Sequence, residues 1–164
     1  MNIPKYKTIL YATDLGENMR PVFRHAISLA RQYQAKIIMI HVVEPLGPTG
    51  EWILRAYMPK SAAESFTKDN LAKILKKMKK RVEEFYRDEL SEEDKKIGLV
   101  SDIYAVSGDC AEQVNRHAES LDVDLIVMGT HTDDSFGHGL LGSTARKLTH
   151  ISKRPVLVVP VQLK

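Results

Sequence analysis

The sequence predicts an α/β fold, a doubly wound five-stranded parallel sheet flanked by four helices. Three observations carry this expectation. Short apolar runs recur along the chain, segments of helical periodicity separate them, and the strand–helix alternation holds throughout. Parallel strands joined through helices need right-handed crossovers, which cover both faces of the sheet.

The first run, Ile9 to Ala12, ends at the polar turn Thr13-Asp14-Leu15-Gly16 and reads as a buried strand. Asn18 then offers a cap, Pro21 suits a first turn, and Val22, Ala26, Leu29, Ala30 and Tyr33 recur at helical spacing up to about Gln34. Ala35 to Val43 is apolar on both faces, the pattern of an interior strand, and Pro45, Gly47, Pro48 and Gly50 break it. A long helix is expected from Ser61 to Leu90, with Leu71, Leu75, Met78, Val82 and Phe85 as its apolar stripe. Lys96 to Val106 reads as the third strand, and Gly108-Asp109 opens a helix whose Ala111, Val114, Ala118 and Leu121 face inward. Asp124 to Met128 is the fourth strand. A polar, glycine-rich stretch then leads to a helix starting near Gly142-Ser143-Thr144, and Pro155 to Pro160 forms the fifth strand.

With 164 residues, 43% of them hydrophobic, the chain suits one domain spanning 1–164, and it is neither collagen-like, disulfide-stapled nor disordered. Its net charge is +3, and its distribution matters more than its size. Lys73 to Arg81 holds six of the 24 basic residues and no acid, so the rest of the chain sets 18 against 21 acidic ones. Glu83, Glu84, Asp88 and Glu89 follow directly, and no aromatic interrupts the run. A solvated helix face explains it better than a nucleic-acid contact. The single Cys110 has no disulfide partner, and no apolar stretch approaches the ~20 residues that span a bilayer. The expected setting is cytoplasmic, with no membrane partner.

In doubly wound sheets ligands bind beyond the carboxyl ends of the strands, where strand order switches. Asp14, Val42 to Glu44, and Gly129 onward occupy such ends. Asp14 there can accept hydrogen bonds from hydroxyls; a turn or capping role is its alternative. Met128-Gly129-Thr130-His131 follows a strand, and thirteen residues after Gly129 comes Gly142-Ser143-Thr144 at a helix start. Free N–H groups, hydroxyls and the helix dipole suit phosphate there. The plainer alternative is that Gly129 and Gly142 permit turns while Ser143 or Thr144 caps the helix.

The chain resembles the universal stress protein family over nearly its whole length. The likeness rests on Thr13-Asp14 after the first strand, Ile40-His41-Val42, Asp124 to His131, Leu140-Leu141-Gly142-Ser143-Thr144, and Arg154-Pro155-Val156-Leu157-Val158-Val159. The resemblance implies an adenine nucleotide, ATP or AMP, with Mg²⁺ as an optional companion, and a stress-response regulatory role. By the same implication Ala12, Thr13 and Asp14 belong to the site, Asp14 meeting the ribose and the Val42 backbone the adenine edge. Met128 and Gly129 would line the base and ribose, and Thr132, Gly142, Ser143 and Thr144 would surround the phosphates. The ATP-binding branch carries Gly, two residues, Gly, nine residues, Gly, then Ser or Thr; here Thr132 replaces the second glycine. Its Cβ disfavours positive φ and crowds a phosphate, while its hydroxyl offers a donor. The alternative is a nucleotide-free interaction or chaperone-like module of the same fold.

Edge logic and the resemblance both suggest a homodimer through Val156 to Val161. No catalytic residue is assigned. His41 lacks a nucleophile to activate, and Ser135-Phe136-Gly137 lacks the first glycine of a nucleophile elbow. His131, Asp133, Asp134 and His138 match no zinc spacing and read as a hydrated loop. Cys110 reads as a small buried residue, its carboxylate neighbour Asp109 opposing any pull of the helix dipole on the thiol. Leu46 to Lys60, with Trp52, Ile53, Leu54, Tyr57 and Met58, suits a cover for the crevice, a subunit contact, or simple packing.

Overall fold

A computed structural model describes residues 3–16, 18–45, 47, 60–130 and 141–161, with 60–70 described as helical backbone. The strands are β1 (Thr8–Ala12), β2 (Lys36–Val43), β3 (Val100–Ser107), β4 (Leu125–Gly129) and β5 (Val156–Val159). The helices are α1 (Met19–Tyr33), α2 (Lys60–Glu89), α3 (Glu92–Lys96), α4 (Cys110–Ser120) and α5 (Ser143–Ile151). The sheet is parallel throughout, in the order β3-β2-β1-β4-β5.

Alternate strand residues face opposite sides, and the two sides form two cores. Ile9, Tyr11, Ile37, Met39 and Val127 pack under α1 and α2 with Val22, Phe23, Ala26, Ala30 and Val82. Leu10, Ile38, Ile40 and Ile126 pack under α4 and α5 with Ala111, Val114, Ala118, Ala145 and Leu148. Each large aliphatic or aromatic side chain so buried contributes about 1.5–3 kcal/mol of transfer free energy. The chain moves from β1 to β3 with helices on one side and from β4 to β5 with helices on the other, so strand order switches between β1 and β4.

The four expected helices are present, and α3 is an addition. The third strand starts at Val100, not Lys96, because Lys96 ends α3. A capping box explains α3: the Ser91 side chain accepts from Asp94 N–H, and the Asp94 side chain accepts from Ser91 N–H. Lys36 then donates from Nζ to the carbonyls of Ile97 and Gly98 at its end, at 2.5 and 2.8 Å. Asn18 stands at the N-cap of α1 but makes no side-chain capping bond. The α2 stripe is confirmed: Val82 is fully buried, and Leu71, Leu75, Met78 and Phe85 are half-buried.

Three arginines of α1 hold the α2–α3 corner. Arg20 and Arg24 donate to Glu89 at 2.6 and 2.9 Å, and Arg31 Nε donates to Asp94 at 2.9 Å while its Nη2 reaches the other Asp94 oxygen. Both carboxylates are almost wholly buried. Burial acts to raise the Glu89 pKa, but hydrogen bonds from Arg24 and Arg20 outweigh it and hold the group below its ordinary value. The Arg31 hydrogen bond holds Asp94 down at about 2.

Candidate functional site

At the strand switch the carboxyl ends of β1 and β4 lie side by side, with helices leaving to opposite faces. Ala12 and Thr13 are buried there, and Thr13 N–H donates to the Ile40 carbonyl at 3.0 Å. The Thr13 carbonyl faces His41 Nδ1 at 2.7 Å, which gives that ring a structural partner.

The turn after β1 is built from its own side chains. Thr13 Oγ1 accepts from Leu15 N–H at 3.0 Å, Asp14 Oδ1 accepts from Gly16 N–H at 2.9 Å, and the Gly16 carbonyl accepts from Met19 N–H at 3.0 Å. These bonds hold Leu15 at φ 67°, a left-handed conformation that costs a bulky residue free energy. Asp14 is exposed, and its second carboxylate oxygen has no partner among the described residues. The turn role read as an alternative is therefore present, and it uses only half of the carboxylate.

Val42 lies one strand further out, half-buried and paired with Val106, on the face it shares with Ala12 and Met128. Met128 is buried in that core. Gly129 turns toward the other face, where a Cβ would meet Val161 Cγ2 at 2.7 Å and Met19 Sδ at 3.1 Å. Packing within the chain thus accounts for this glycine, independently of any close approach by a ligand.

Gly142 N–H donates to the Thr130 carbonyl at 3.0 Å, which brings the start of α5 against the end of β4. Gly142 is the N-cap and makes no side-chain bond, and the first turn carries no acid. Neither Ser143 nor Thr144 is the cap: both sit inside the first turn, Ser143 exposed and Thr144 half-buried. Arg146 donates from Nη2 to the Leu141 carbonyl at 3.4 Å, which brings a guanidinium back to the same end. Lys147 is engaged elsewhere, bound to Asp109, the N-cap of α4, at 3.0 Å and to Glu112 on α4 at 2.8 Å. The helix start therefore offers N–H donors, hydroxyls and one cation, a donor set matched to phosphate.

Of the residues expected at a binding site, Ala12, Thr13, Asp14, Met128, Gly129, Gly142, Ser143 and Thr144 lie at the ends of β1 and β4, with Val42 on β2. Thr132 lies outside the described residues, as do His131, Asp133, Asp134, His138, and Trp52, Ile53, Leu54, Tyr57 and Met58. Thr130 plays a part the sequence reading missed. Its N–H donates to the Val159 carbonyl and its Oγ1 accepts from Val161 N–H, both at 3.0 Å, fastening the segment after β5. A hydroxyl residue directly after a strand glycine was the only local signal.

Cys110 is half-buried against the α4–α5 core, and its thiol is pushed up to about 11, first by desolvation and then by the Glu44, Asp109 and Asp14 carboxylates. It stays a neutral thiol at ordinary pH. Among the described residues no group of three His, Cys, Asp or Glu side chains is placed to hold a metal ion, and no helix is long and apolar enough to cross a membrane.

Residues 5–160 match a model of the universal stress protein family. Universal stress protein MJ0531 of Methanocaldococcus jannaschii is 30% identical over 94% of this chain and 82% of its own length. Universal stress protein A of Salmonella typhimurium is 30% identical over 96% of both chains. Among solved structures, protein MJ0577 aligns with a TM-score of 0.75 at 25% identity, covering 98% of this chain and all of its own. A universal stress protein in complex with cAMP aligns at 0.55 and 20% identity, over 97% of this chain and all of its own. With its strand order, its two-sided helical cover and a family match over residues 5–160, the chain belongs to the universal stress protein family.

Proposed function

We propose that this protein binds an adenine nucleotide, ATP or AMP, beyond the carboxyl ends of β1 and β4, and acts as a cytoplasmic stress-response regulator with at most weak ATP hydrolysis. In this reading 1–164 is one domain. The observation that carries it is the pairing of opposite chemistries across the strand switch: the half-used Asp14 carboxylate on one side and the acid-free start of α5 on the other. Asp14 would take the ribose hydroxyls, the Val42 backbone the adenine edge, and Met128 and Gly129 the base side. Gly142, Ser143 and Thr144, with Thr132, would take the phosphates, joined by Mg²⁺ where ATP is bound. That a protein of this fold forms a complex with cAMP, itself an adenine nucleotide, supports the ligand class.

The test is a melting curve with ATP or AMP, with and without Mg²⁺. A ligand at about a hundred times its Kd stabilises by about 2.7 kcal/mol, a rise of roughly 5–10 °C for a domain of this size. No shift at millimolar nucleotide overturns the reading and leaves the nucleotide-free interaction module.

A further inference from the structure

β3 is an edge strand, and a groove of about 440 Å³ runs between its amino-terminal half and α2, away from the strand carboxyl ends. Residues 100–104 form one wall, and Lys79, Glu83 and Tyr86 form the other.

Among the described residues no strand pairs with the outer side of this edge. Gly108 N–H donates to the Val43 carbonyl at 3.1 Å, which sets the phase of the parallel ladder. By the alternation of that ladder, residues 102, 104 and 106 turn their N–H and C=O groups toward β2, while Ile103 and Ala105 turn theirs outward. At the lower end the Ile37 N–H donates to the Leu99 carbonyl, and the register shifts between Ile37 and Ile38, with Ser101 as the extra residue. This bulge limits what can pair to a short segment.

The side chains of the helical wall supply a charge pattern. Lys79 and Glu83 stand one helical turn apart, about 6 Å along the axis, close to the roughly 6.8 Å between alternate residues of an extended chain. Neither forms an ion pair among the described residues, whereas Lys80 and Glu84 beside them pair with each other. α2 runs antiparallel to β3, as the crossover requires, so Lys79 lies nearer the carboxyl end of the strand.

We propose that this edge takes a short extended segment of a partner protein, antiparallel to β3, with an acidic side chain opposite Lys79 and a basic one two residues later opposite Glu83. Main-chain pairing with Ile103 and Ala105 gives the affinity, and the charge order gives the specificity. This site is independent of the nucleotide reading.

The probe is a fluorescein-labelled heptapeptide, Thr-Val-Glu-Thr-Arg-Val-Thr, followed by anisotropy, beside the same peptide with Glu and Arg exchanged. The wild-type protein should favour the first by about fivefold to tenfold, and the double variant Lys79→Glu with Glu83→Lys should reverse the preference. N-methylation of alternate peptide amides should abolish binding, and amide shifts should appear at Ile103 and Ala105. The proposal is overturned by equal affinity for both charge orders, by shifts confined to β5, by indifference to N-methylation, or by no binding at millimolar peptide.

Discussion

Val161 occupies the space that a side chain at Gly129 would need, its Cγ2 lying 2.7 Å from the position of a Cβ there. Met19 Sδ closes the same space at 3.1 Å, and Thr130 holds Val161 in place by accepting its N–H. The end of β4 is therefore a junction of three elements: the strand, the start of α1 and the segment after β5.

Gly129→Ala should accordingly cost about 1–3 kcal/mol, the usual range for overpacking, read as a lower urea midpoint with unchanged slope. Val161→Ala introduced into that variant should recover part of the loss, because it removes the side chain that clashes. Simple additivity of the two losses would mean that the glycine answers to something other than Val161.

Asp14→Asn separates the turn from the ligand. Asn keeps a side-chain oxygen that can accept from Gly16 N–H, so stability should stay within about 0.5 kcal/mol of wild type. ATP affinity measured by calorimetry should fall about tenfold, since a charge-assisted bond to the ribose is replaced by a neutral one. Unchanged affinity would leave Asp14 as a turn residue alone.

The strands were legible because buried parallel strands are nearly continuous apolar runs, as in residues 36–43 and 125–129. The Asp14 turn was legible because an Asx turn is local chemistry. The short α3 was missed although Ser91-Glu92-Glu93-Asp94 is a capping-box pattern, because the polar residues after it offer no apolar periodicity. The packing reason for Gly129 was not legible at all. Its neighbours Met19 and Val161 lie far away along the chain, and only the assembled sheet brings them together.

Acid should loosen the α2–α3 corner first. Asp94 falls from an ordinary 3.8 to about 2 in the folded protein, chiefly through its Arg31 hydrogen bond, and Glu89 is also lowered. A carboxylate with a depressed folded pKa stabilises fully above its unfolded pKa, and that stability is lost as pH falls through the folded value. The urea midpoint should therefore drop between about pH 4 and pH 2, with amide exchange rising first in α3. Asp94→Asn should flatten that limb; an unchanged pH profile would assign the acid sensitivity elsewhere.

The homodimer expected through β5 rests on an edge strand, Val156–Val159, without a charged side chain and with three of its four residues half-buried. Val158 packs on the α4–α5 core, so Val158→Lys, checked for folding by circular dichroism, should give folded monomers in sedimentation equilibrium if two copies pair through that edge. A dimer unaffected by the substitution would place the interface on another surface.

The family resemblance implies that Thr132 replaces the second glycine of the ATP-binding pattern, and Thr132→Gly tests that expectation directly. Glycine removes the Cβ and admits positive φ, so under the proposed function its backbone could come closer to a phosphate, at the cost of up to about 1 kcal/mol in chain entropy. ATP should then bind several-fold tighter, about 1 kcal/mol, while AMP, with a single phosphate near the ribose, should change less. An equal gain for both nucleotides would indicate a general loosening of the loop. No gain for either would show that the threonine hydroxyl replaces what the glycine backbone supplies in relatives, and that the second glycine is dispensable in this chain.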